Sequence, residues 1–307
     1  MKAKVWGARG SVPAPGPEMN RYGGNTSCVE LELSDSSMLI IDAGTGIRGL
    51  GVGLVKKVPK VINILLTHLH LDHIQGLMFF APCFNADTTI TIWGPSSPEA
   101  SLEERIARYI SAPLSPVEVR ELPCEVSFID TPATEWEIGP AKIRAESVTH
   151  RGPTLGYRIT DTGAGEGPTT LAYISDHEPG LGAPLEKLEP EWISGFDLAC
   201  KADLLIHDCQ YTDEEYPNHV GWGHSPVTDA LTFARRVEAR RLLLFHHDPL
   251  HADSFLDDMY GAAVERWIDL GGDPGTIDMA AEGQELVIRP TDDAAPKAAP
   301  ARAAPQG

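Results

Sequence analysis

One short stretch constrains this chain more than any other: residues 65–76 read LLTHLHLDHIQG. It places three histidines and an aspartate within six positions, directly after an apolar run that is typical of a buried strand. Alternate residues of an extended chain share a face, so His68 and His70 are predicted to point to one side. A turn into a helix at Asp72 would aim Asp72 and His73 at a second point. Because zinc and similar ions prefer imidazole and carboxylate ligands, this loop can serve two metal ions.

The same stretch has a simpler interpretation, in which Asp72 caps a helix that begins at His73 and the histidines are surface loop residues. Four ligand-type side chains in the pattern H-x-H-x-D-H, at the end of a buried strand, favour the metal site over a polar turn.

A single loop cannot complete two coordination spheres, so further ligands are expected at the ends of other strands. Taken one at a time, such residues could be a surface histidine, a turn-forming aspartate or a core histidine bonded to backbone. Together with the loop they indicate ligands that converge at one edge of a sheet. The candidates, each placed where an apolar run gives way to a loop, are His150, Asp176, His246 and His247.

The order of the predicted elements indicates an α/β fold. Strands followed by helices occur in both halves of the chain, which favours two sheets packed face to face with helices outside. A single domain is predicted over residues 1–291, and the Ala/Pro-rich tail 292–307 is predicted to be disordered because it has little to bury. Helices are predicted over residues 44–57, 73–81, 98–110, 225–239 and 253–270.

Composition excludes several classes of protein. The formal charge of −19 disfavours duplex DNA or long RNA as a partner, but it allows a small anionic substrate if bound dications supply local positive charge. The five cysteines are odd in number and never form C-x-x-C, which argues against a disulfide framework and a thiolate zinc site. The first residues, MKAKVWGARGSV, lack the apolar stretch of a secretory signal, and no apolar run reaches ~20 residues, so we expect a cytoplasmic protein without membrane contact.

Several motifs follow one another in a set order: THLHLDH, HRGPTLGYR, YISD, ADLLIHD, GHSP and LLLFHHDP. With the opening GARGSVP and GGNTS, they resemble the metallo-β-lactamase superfamily, and within it the phosphodiesterase branch that includes ribonuclease Z and cyclic phosphodiesterases. The resemblance extends to about residue 290. It implies a four-layer αβ/βα sandwich of two mixed sheets with helices outside, and a metal-dependent hydrolase.

The resemblance also implies a ligand set. His246 is preferred to His247 because it occupies the family's histidine position after the apolar strand. The implied cofactors are two divalent metal ions, with Zn2+ first and Mn2+ or Fe2+ as alternatives. One metal would be held by His68, His70 and His150, the other by Asp72, His73 and His246, and Asp176 would bridge the two.

His224, in the motif GHSP, lies just before a predicted helix with Ser225 at the N-cap and Pro226 at the first helical position. The partial positive charge of a helix N-terminus suits a phosphate oxygen. In the resembling phosphodiesterases the matching histidine assists the reaction, and an acidic residue at the Asp208 position orients it. That acid is Asp here where ribonuclease Z usually has Glu, so a shorter side chain has to make the contact. The remaining candidates, predicted to be structural, are His177, His207, His219 and His251.

The predicted reaction is hydrolysis of a small phosphodiester by a hydroxide that two metals share, with Asp72 accepting the water's proton and His224 assisting the leaving oxygen. Ribonuclease Z carries a long basic arm between the strands that bear the residues matching His150 and Asp176. Residues 151–175 leave room here for two strands and a hairpin loop only. A cyclic nucleotide or related cyclic phosphate is therefore favoured over transfer RNA, with no long nucleic acid as partner. The resemblance further suggests a homodimer.

Three alternatives stay open on the sequence. A carboxylic ester, lactone or thioester hydrolase would use the same metals without needing His224. A redox site with two irons is disfavoured because the first loop carries the hydrolase histidine, His73. A signalling module that binds a ligand without catalysis is disfavoured because such degenerate members usually lose ligands, and this sequence keeps the implied set.

Overall fold

The computed structural model describes residues 1–131, 134–163 and 167–290, which contain fourteen strands and six α-helices. The strands are β1 Lys2–Gly7, β2 Cys28–Glu32, β3 Met38–Ile41, β4 Val61–Leu65, β5 Thr89–Gly94, β6 Glu125–Asp130, β7 Trp136–Ile138, β8 Ala141–Ser147, β9 Leu155–Asp161, β10 Thr169–Ile174, β11 Leu204–Asp208, β12 Leu242–Phe245, β13 Ile277–Met279 and β14 Glu285–Val287. The α-helices are α1 Gly46–Leu54, α2 Leu71–Ile74, α3 Leu102–Tyr109, α4 Phe196–Ala199, α5 Val227–Arg236 and α6 Asp253–Asp269.

The strands form two mixed sheets of seven, with the orders β14-β1-β2-β3-β4-β5-β6 and β13-β12-β11-β10-β9-β8-β7. Each sheet joins a parallel block to an antiparallel block. The parallel block is β3 to β6 in the first sheet and β10 to β13 in the second. The two halves therefore repeat one pattern of strand directions, although the sequence shows no short repeat.

Three apolar clusters separate the layers. The middle cluster joins the two sheets and contains Leu31 and Ile41 from one sheet, with Tyr157 and Phe245 from the other. One outer cluster packs α1 and α3 on the first sheet, and the other packs α5 and α6 on the second. Every residue of β10 is buried, because this central strand is covered on both faces. The α/β prediction of two face-to-face sheets with helices outside is confirmed.

Some predicted boundaries are wrong. The helix after the histidine loop begins at Leu71, with His70 at its N-cap position, so Asp72 lies inside the helix and does not cap it. The N-cap of α5 is Pro226, not Ser225, whose hydroxyl instead donates to the carbonyl of His177. The single domain over 1–291 stays a prediction, and the tail 292–307 lies outside the described residues. No helix among the described residues is long and apolar enough to span a membrane.

Candidate metal centre

The chemistry-bearing side chains gather where parallel strands end. Asp42 follows β3, Asp176 follows β10 by two positions, and His246 follows β12. The strand β8, which precedes His150, is antiparallel to β9, and β9 is antiparallel to β10. The strand β8 therefore runs parallel to β10, and His150 emerges at the same edge as Asp176. The histidine loop leaves the matching edge of the first sheet, directly after β4.

A first cluster consists of His68, His70 and His150. The candidate ligand nitrogens of these three side chains lie within 4.8 Å of one another. Nε2 of His150 is 3.2 Å from Nδ1 of His70, and the rings of His68 and His70 have centroids 4.4 Å apart. The structure thus brings together the three side chains that the resemblance assigns to one metal.

A second cluster consists of Asp72, His73, Asp176 and His246, all of them buried. Oδ2 of Asp72 lies 3.3 Å from Nε2 of His73 and 3.3 Å from Nε2 of His246. The two rings are stacked with centroids 5.5 Å apart. Two imidazoles and two carboxylates share one buried space.

Asp176 faces both clusters. Its Oδ1 lies 3.1 Å from Nε2 of His73, and its Oδ2 lies 3.2 Å from Nε2 of His246. Oδ2 also lies 3.7 Å from Nε2 of His68 and 3.9 Å from Nε2 of His150. One carboxylate therefore separates the two groups of ligands, which is the position expected of a bridging ligand.

The residues present fit divalent cations. Nε2 of His68, Nε2 of His73 and Oδ1 of Asp176 are buried and make no hydrogen bond of good geometry among the described residues, although the last two atoms lie 3.1 Å apart. Buried polar atoms are rarely left without a partner, so atoms in this state that converge on one space fit a bound cation. Imidazole nitrogen with carboxylate oxygen is a donor set that suits zinc and similar divalent ions.

The ring nitrogens that point away from the clusters are held by second partners. His73 pairs through Nδ1 with Oδ2 of Asp42 at 2.8 Å, and His150 donates through Nδ1 to the carbonyl of Gly223 at 2.8 Å. Nδ1 of His246 donates to Oε1 of Gln210 at 3.0 Å. Such contacts fix the tautomer and orientation of metal-binding imidazoles.

Asp42 was missed by the sequence reasoning. Its buried carboxylate also accepts hydrogen bonds from the backbone N–H of Thr67 at 2.8 Å and from the hydroxyl of Tyr173 at 3.0 Å. Tyr173 belongs to the second sheet, so Asp42 ties both sheets to His73. The signal was present in the sequence, because Asp42 follows the apolar run MLII as Asp176 follows LAYI.

The carboxylates control the pKa values of the buried imidazoles. Burial alone would lower the pKa of His246, but the charge of Asp176 and the hydrogen bond to Asp72 outweigh it and raise this pKa to about 9. The pKa of His73 is raised against burial by the charges of Asp176 and Asp72. Burial, aided by the charge of His73, lowers the pKa of His68. The second cluster is thus built to hold positive charge.

His224 lies between the clusters. Its ring stacks on that of His246 with centroids 4.9 Å apart, and it meets the ring of His150 at the same distance. Oδ2 of Asp208 is 2.7 Å from Nδ1 of His224, so the shorter acid makes the predicted contact. The other oxygen of Asp208 accepts the backbone N–H groups of Gln210 and Ser225. A fully engaged carboxylate therefore holds the Nδ1 side of the His224 ring.

A buried carboxylate that the sequence reasoning did not single out shapes the loop before His224. Glu178 has no exposed surface. It accepts the N–H of Gly221 at 2.8 Å, the N–H of Gly223 at 2.8 Å and the hydroxyl of Tyr216 at 2.7 Å. Because the carbonyl of Gly223 holds His150, Glu178 sets the positions of two site histidines at once.

The adjacent histidine pair is resolved by geometry. His246 points into the second cluster, whereas Nε2 of His247 donates to the carbonyl of Ala280 at 2.8 Å on the other side of the chain. Burial lowers the pKa of His247 to about 3, so it is neutral. The structure places His246, not His247, among the candidate ligands.

The four remaining histidines have structural partners. His177 and His207 share a hydrogen bond of 2.9 Å between ring nitrogens beneath Asp208. Nδ1 of His219 donates to the carbonyl of Glu215 at 2.8 Å, and Nε2 of His251 lies 3.0 Å from a carboxylate oxygen of the same residue.

Three of the seven described non-glycine residues with positive φ lie at this site. Ser11, Asp42 and His246 are non-glycine residues with φ near +60°. Each such residue costs of order 1–3 kcal/mol and persists only where its surroundings enforce it. Ser11 donates its N–H to Oδ2 of Asp72 at 2.7 Å, so a fourth chain segment touches the second cluster, besides those that carry Asp72 and His73, Asp176, and His246.

Comparisons with known proteins agree with this geometry. Residues 38–247 match a family model described as a beta-lactamase superfamily domain. Ribonuclease Z from Natronomonas pharaonis is 28% identical over 305 residues, covering 83% of this chain and 92% of the relative. Ribonuclease Z from Haloferax volcanii is 26% identical over 289 residues, covering 80% and 84%. The crystal structure of human tRNase Z, short form, superposes with a TM-score of 0.61 at 22% identity, covering 94% of this chain and 99% of that one; this likeness shows the fold.

Proposed function

The chain belongs to the beta-lactamase superfamily, as its motifs predicted, and we propose that this metal-dependent hydrolase cleaves a small phosphodiester, such as a cyclic nucleotide or a related cyclic phosphate. The observation that carries the proposal is the pair Asp208 and His224. A hydrolase for carboxylic esters would need the two metal clusters. It would not need a further imidazole, outside the ligand set, that a buried acid holds over the clusters. A phosphodiester has a poor leaving group, and such a group benefits from a positioned proton donor.

We assign His68, His70 and His150 to one cation, Asp72, His73 and His246 to the other, and Asp176 to both. Zn2+ is the proposed ion, with Mn2+ or Fe2+ as alternatives, because the ligands are imidazole and carboxylate without thiolate. When bound, two divalent ions supply the positive charge that acidifies a water molecule and offsets the charge of the phosphate oxygens.

The protein's own side chains provide the proton transfers. Asp72 lies at the junction of His73 and His246 and is placed to accept a proton from the attacking water. Asp208 binds Nδ1 of His224, so the proton that this imidazole delivers to the leaving oxygen comes from Nε2.

A small substrate is favoured over a folded RNA by two observations. The strands β9 and β10 are joined by residues 162–168 alone, which leaves no room for a long arm between His150 and Asp176. The formal charge of −19 repels a polyanion. The relatives named ribonuclease Z make RNA the rival substrate, and it belongs in any test.

The test is a panel of four substrates with the zinc-loaded protein: a cyclic nucleotide, bis(p-nitrophenyl) phosphate, a lactone and a precursor transfer RNA. We expect hydrolysis of the first two, with Asp176→Ala as the inactive control. Hydrolysis of the lactone alone would establish the ester alternative, and cleavage of the RNA alone would establish a ribonuclease. Binding of a phosphodiester without turnover would establish a signalling module.

A further inference from the structure

A groove with a volume of about 490 Å3 lies between the chain segment that follows Ser11 and the segment that follows Asp248. This volume falls within the ~300–1,000 Å3 range of small-molecule sites. We call it the proline groove, after the prolines in both of its walls. It is lined by Val12, Pro13, Ala14, Pro15, Glu18, Met19, Pro249, Leu250 and Ala252.

Both walls of the proline groove continue from segments that touch the second cluster. The first wall begins at Val12, directly after Ser11, whose N–H donates to Asp72. The second begins at Pro249, two residues after the histidine pair that contains His246. Each wall of the groove therefore begins within a few residues, along the sequence, of a residue that belongs to the second cluster or contacts it.

The walls are joined beneath the groove by a buried arginine. Arg9 has no exposed surface. It donates to the carbonyls of Asp248 at 3.0 Å and His251 at 2.6 Å on one side, and of Gly23 at 2.8 Å on the other. Its guanidinium also contacts the sulfur of Met19, a lining residue, at 3.1 Å. The contacts of Arg9 thus hold the two walls of the groove in place relative to each other.

The lining of the proline groove disfavours a negatively charged ligand group. Its walls are apolar, with Val12 52% exposed and Leu250 87% exposed. Among the residues that the structure describes, Glu18 is the one ionisable lining residue, and no lysine or arginine lines the groove. A further phosphate group would meet no cation there and would be repelled by Glu18, whereas an uncharged ring would cover apolar surface that is otherwise in water.

We propose that the proline groove binds an uncharged apolar substituent, such as an aryl ring or nucleobase, attached to the phosphodiester at the metal centre. This inference rests on the proposed function and specifies its substrate: a diester with one phosphate and one flat neutral group on the groove side. An RNA chain, which carries a phosphate at every nucleotide, would not fit this surface.

The test compares two diesters that release the same leaving group, bis(p-nitrophenyl) phosphate and methyl p-nitrophenyl phosphate. The ratio of their kcat/KM values measures the contribution of the second ring, because the broken bond is the same. Changing Val12→Ser with Leu250→Ser is expected to lower this ratio about tenfold, the scale of a lost apolar pocket contact. Both side chains are exposed, so the change should leave folding intact.

The matched control is Leu114→Ser, which replaces another exposed leucine, 66% accessible, that does not line the groove and should keep the wild-type ratio. An unchanged ratio in the double variant would overturn the groove proposal and leave the proposed function standing. Failure to hydrolyse either diester would overturn both. A dimer that the double variant dissociates would show that a second copy of the chain occupies the groove, and would also overturn the proposal.

Discussion

The carboxylate of Asp208 lies 2.7 Å from Nδ1 of His224, and the His224 ring stacks on that of His246 at a centroid distance of 4.9 Å. Asp208, which is buried in the second sheet, thus orients the imidazole of His224 over the second cluster. That cluster also contains residues from the loop after β4. Neither Asp208 nor His224 is assigned as a metal ligand. The arrangement separates the groups that would bind cations from the group that would deliver a proton.

Replacing His224 by alanine is expected to lower kcat for a cyclic nucleotide about 100-fold or more, because a general acid contributes on that scale. The loss should be much smaller for bis(p-nitrophenyl) phosphate, since nitrophenolate departs without a proton. Steady-state kinetics on both substrates check this, and metal analysis should show that the variant keeps its cations. An equal loss on the two substrates would contradict the assignment of His224 as the acid.

The glycine pair in the loop before His224 offers a matched steric test. Gly221 and Gly223 both have positive φ, at 82° and 91°, so alanine is strained at either position. A Cβ at Gly223 would overlap the ring of His150, whereas one at Gly221 would meet nothing within 4 Å. Gly223→Ala should therefore weaken metal binding at the first cluster, while Gly221→Ala lowers Tm alone. Metal titration of both variants tests this expectation. Similar metal affinities in the two variants would refute the placement of His150.

Glu178→Gln is expected to lower both stability and metal affinity. A buried amide group would face backbone N–H groups that now bind a carboxylate, at a cost of about 1–3 kcal/mol in the free energy of unfolding. Because Gly223 would shift, affinity at the first cluster should fall about 10–100-fold, as for other losses of a ligand's supporting contact. The control is Tyr216→Phe, which removes one donor to Glu178 and keeps the N–H of Gly223 bound. Urea unfolding and metal titration measure the two effects, and wild-type affinity in Glu178→Gln would count against the role of this carboxylate.

The raised pKa of His246 gives a pH dependence with a definite sign. A group whose pKa rises on folding from 6.5 to about 9 stabilises the folded protein below pH 6.5, and this contribution is lost as the pH rises towards 9. His73, whose pKa is also raised, acts in the same direction. The Tm of the chelator-treated protein should therefore fall between pH 6.5 and 9. The zinc affinity should rise over the same range, because fewer protons must be displaced from the ligands. If the difference in Tm between the chelator-treated and the zinc-loaded protein stayed constant across this range, the raised pKa values at the second cluster would be contradicted.

Much of the fold and most of the candidate ligands could be predicted because they rest on local signals. Apolar runs that end in His or Asp mark the strands and their shared edge, and the histidine loop has a pattern that few other sites use. Pro226 and Leu71 show the limit of this reasoning, since helix starts depend on backbone geometry that residue preferences place only to within one or two positions.

The supporting residues could not be predicted in the same way. Glu178 and Gln210 act through contacts with residues distant in sequence, and nothing in their local sequence distinguishes them from surface side chains. Asp42 did carry a local signal, but its partner Tyr173 is brought to it only by the packing of one sheet on the other.

The most direct test of the central claim is the initial rate of cyclic nucleotide hydrolysis by the zinc-loaded wild type beside Asp176→Ala. The arrangement of both clusters around Asp176 predicts turnover by the wild type that chelation abolishes and zinc restores, with loss of about 10³-fold or more in the variant, in line with the removal of a group that preorganises charge in an active site. Wild-type rates in Asp176→Ala, or turnover that survives complete removal of metal, would contradict it.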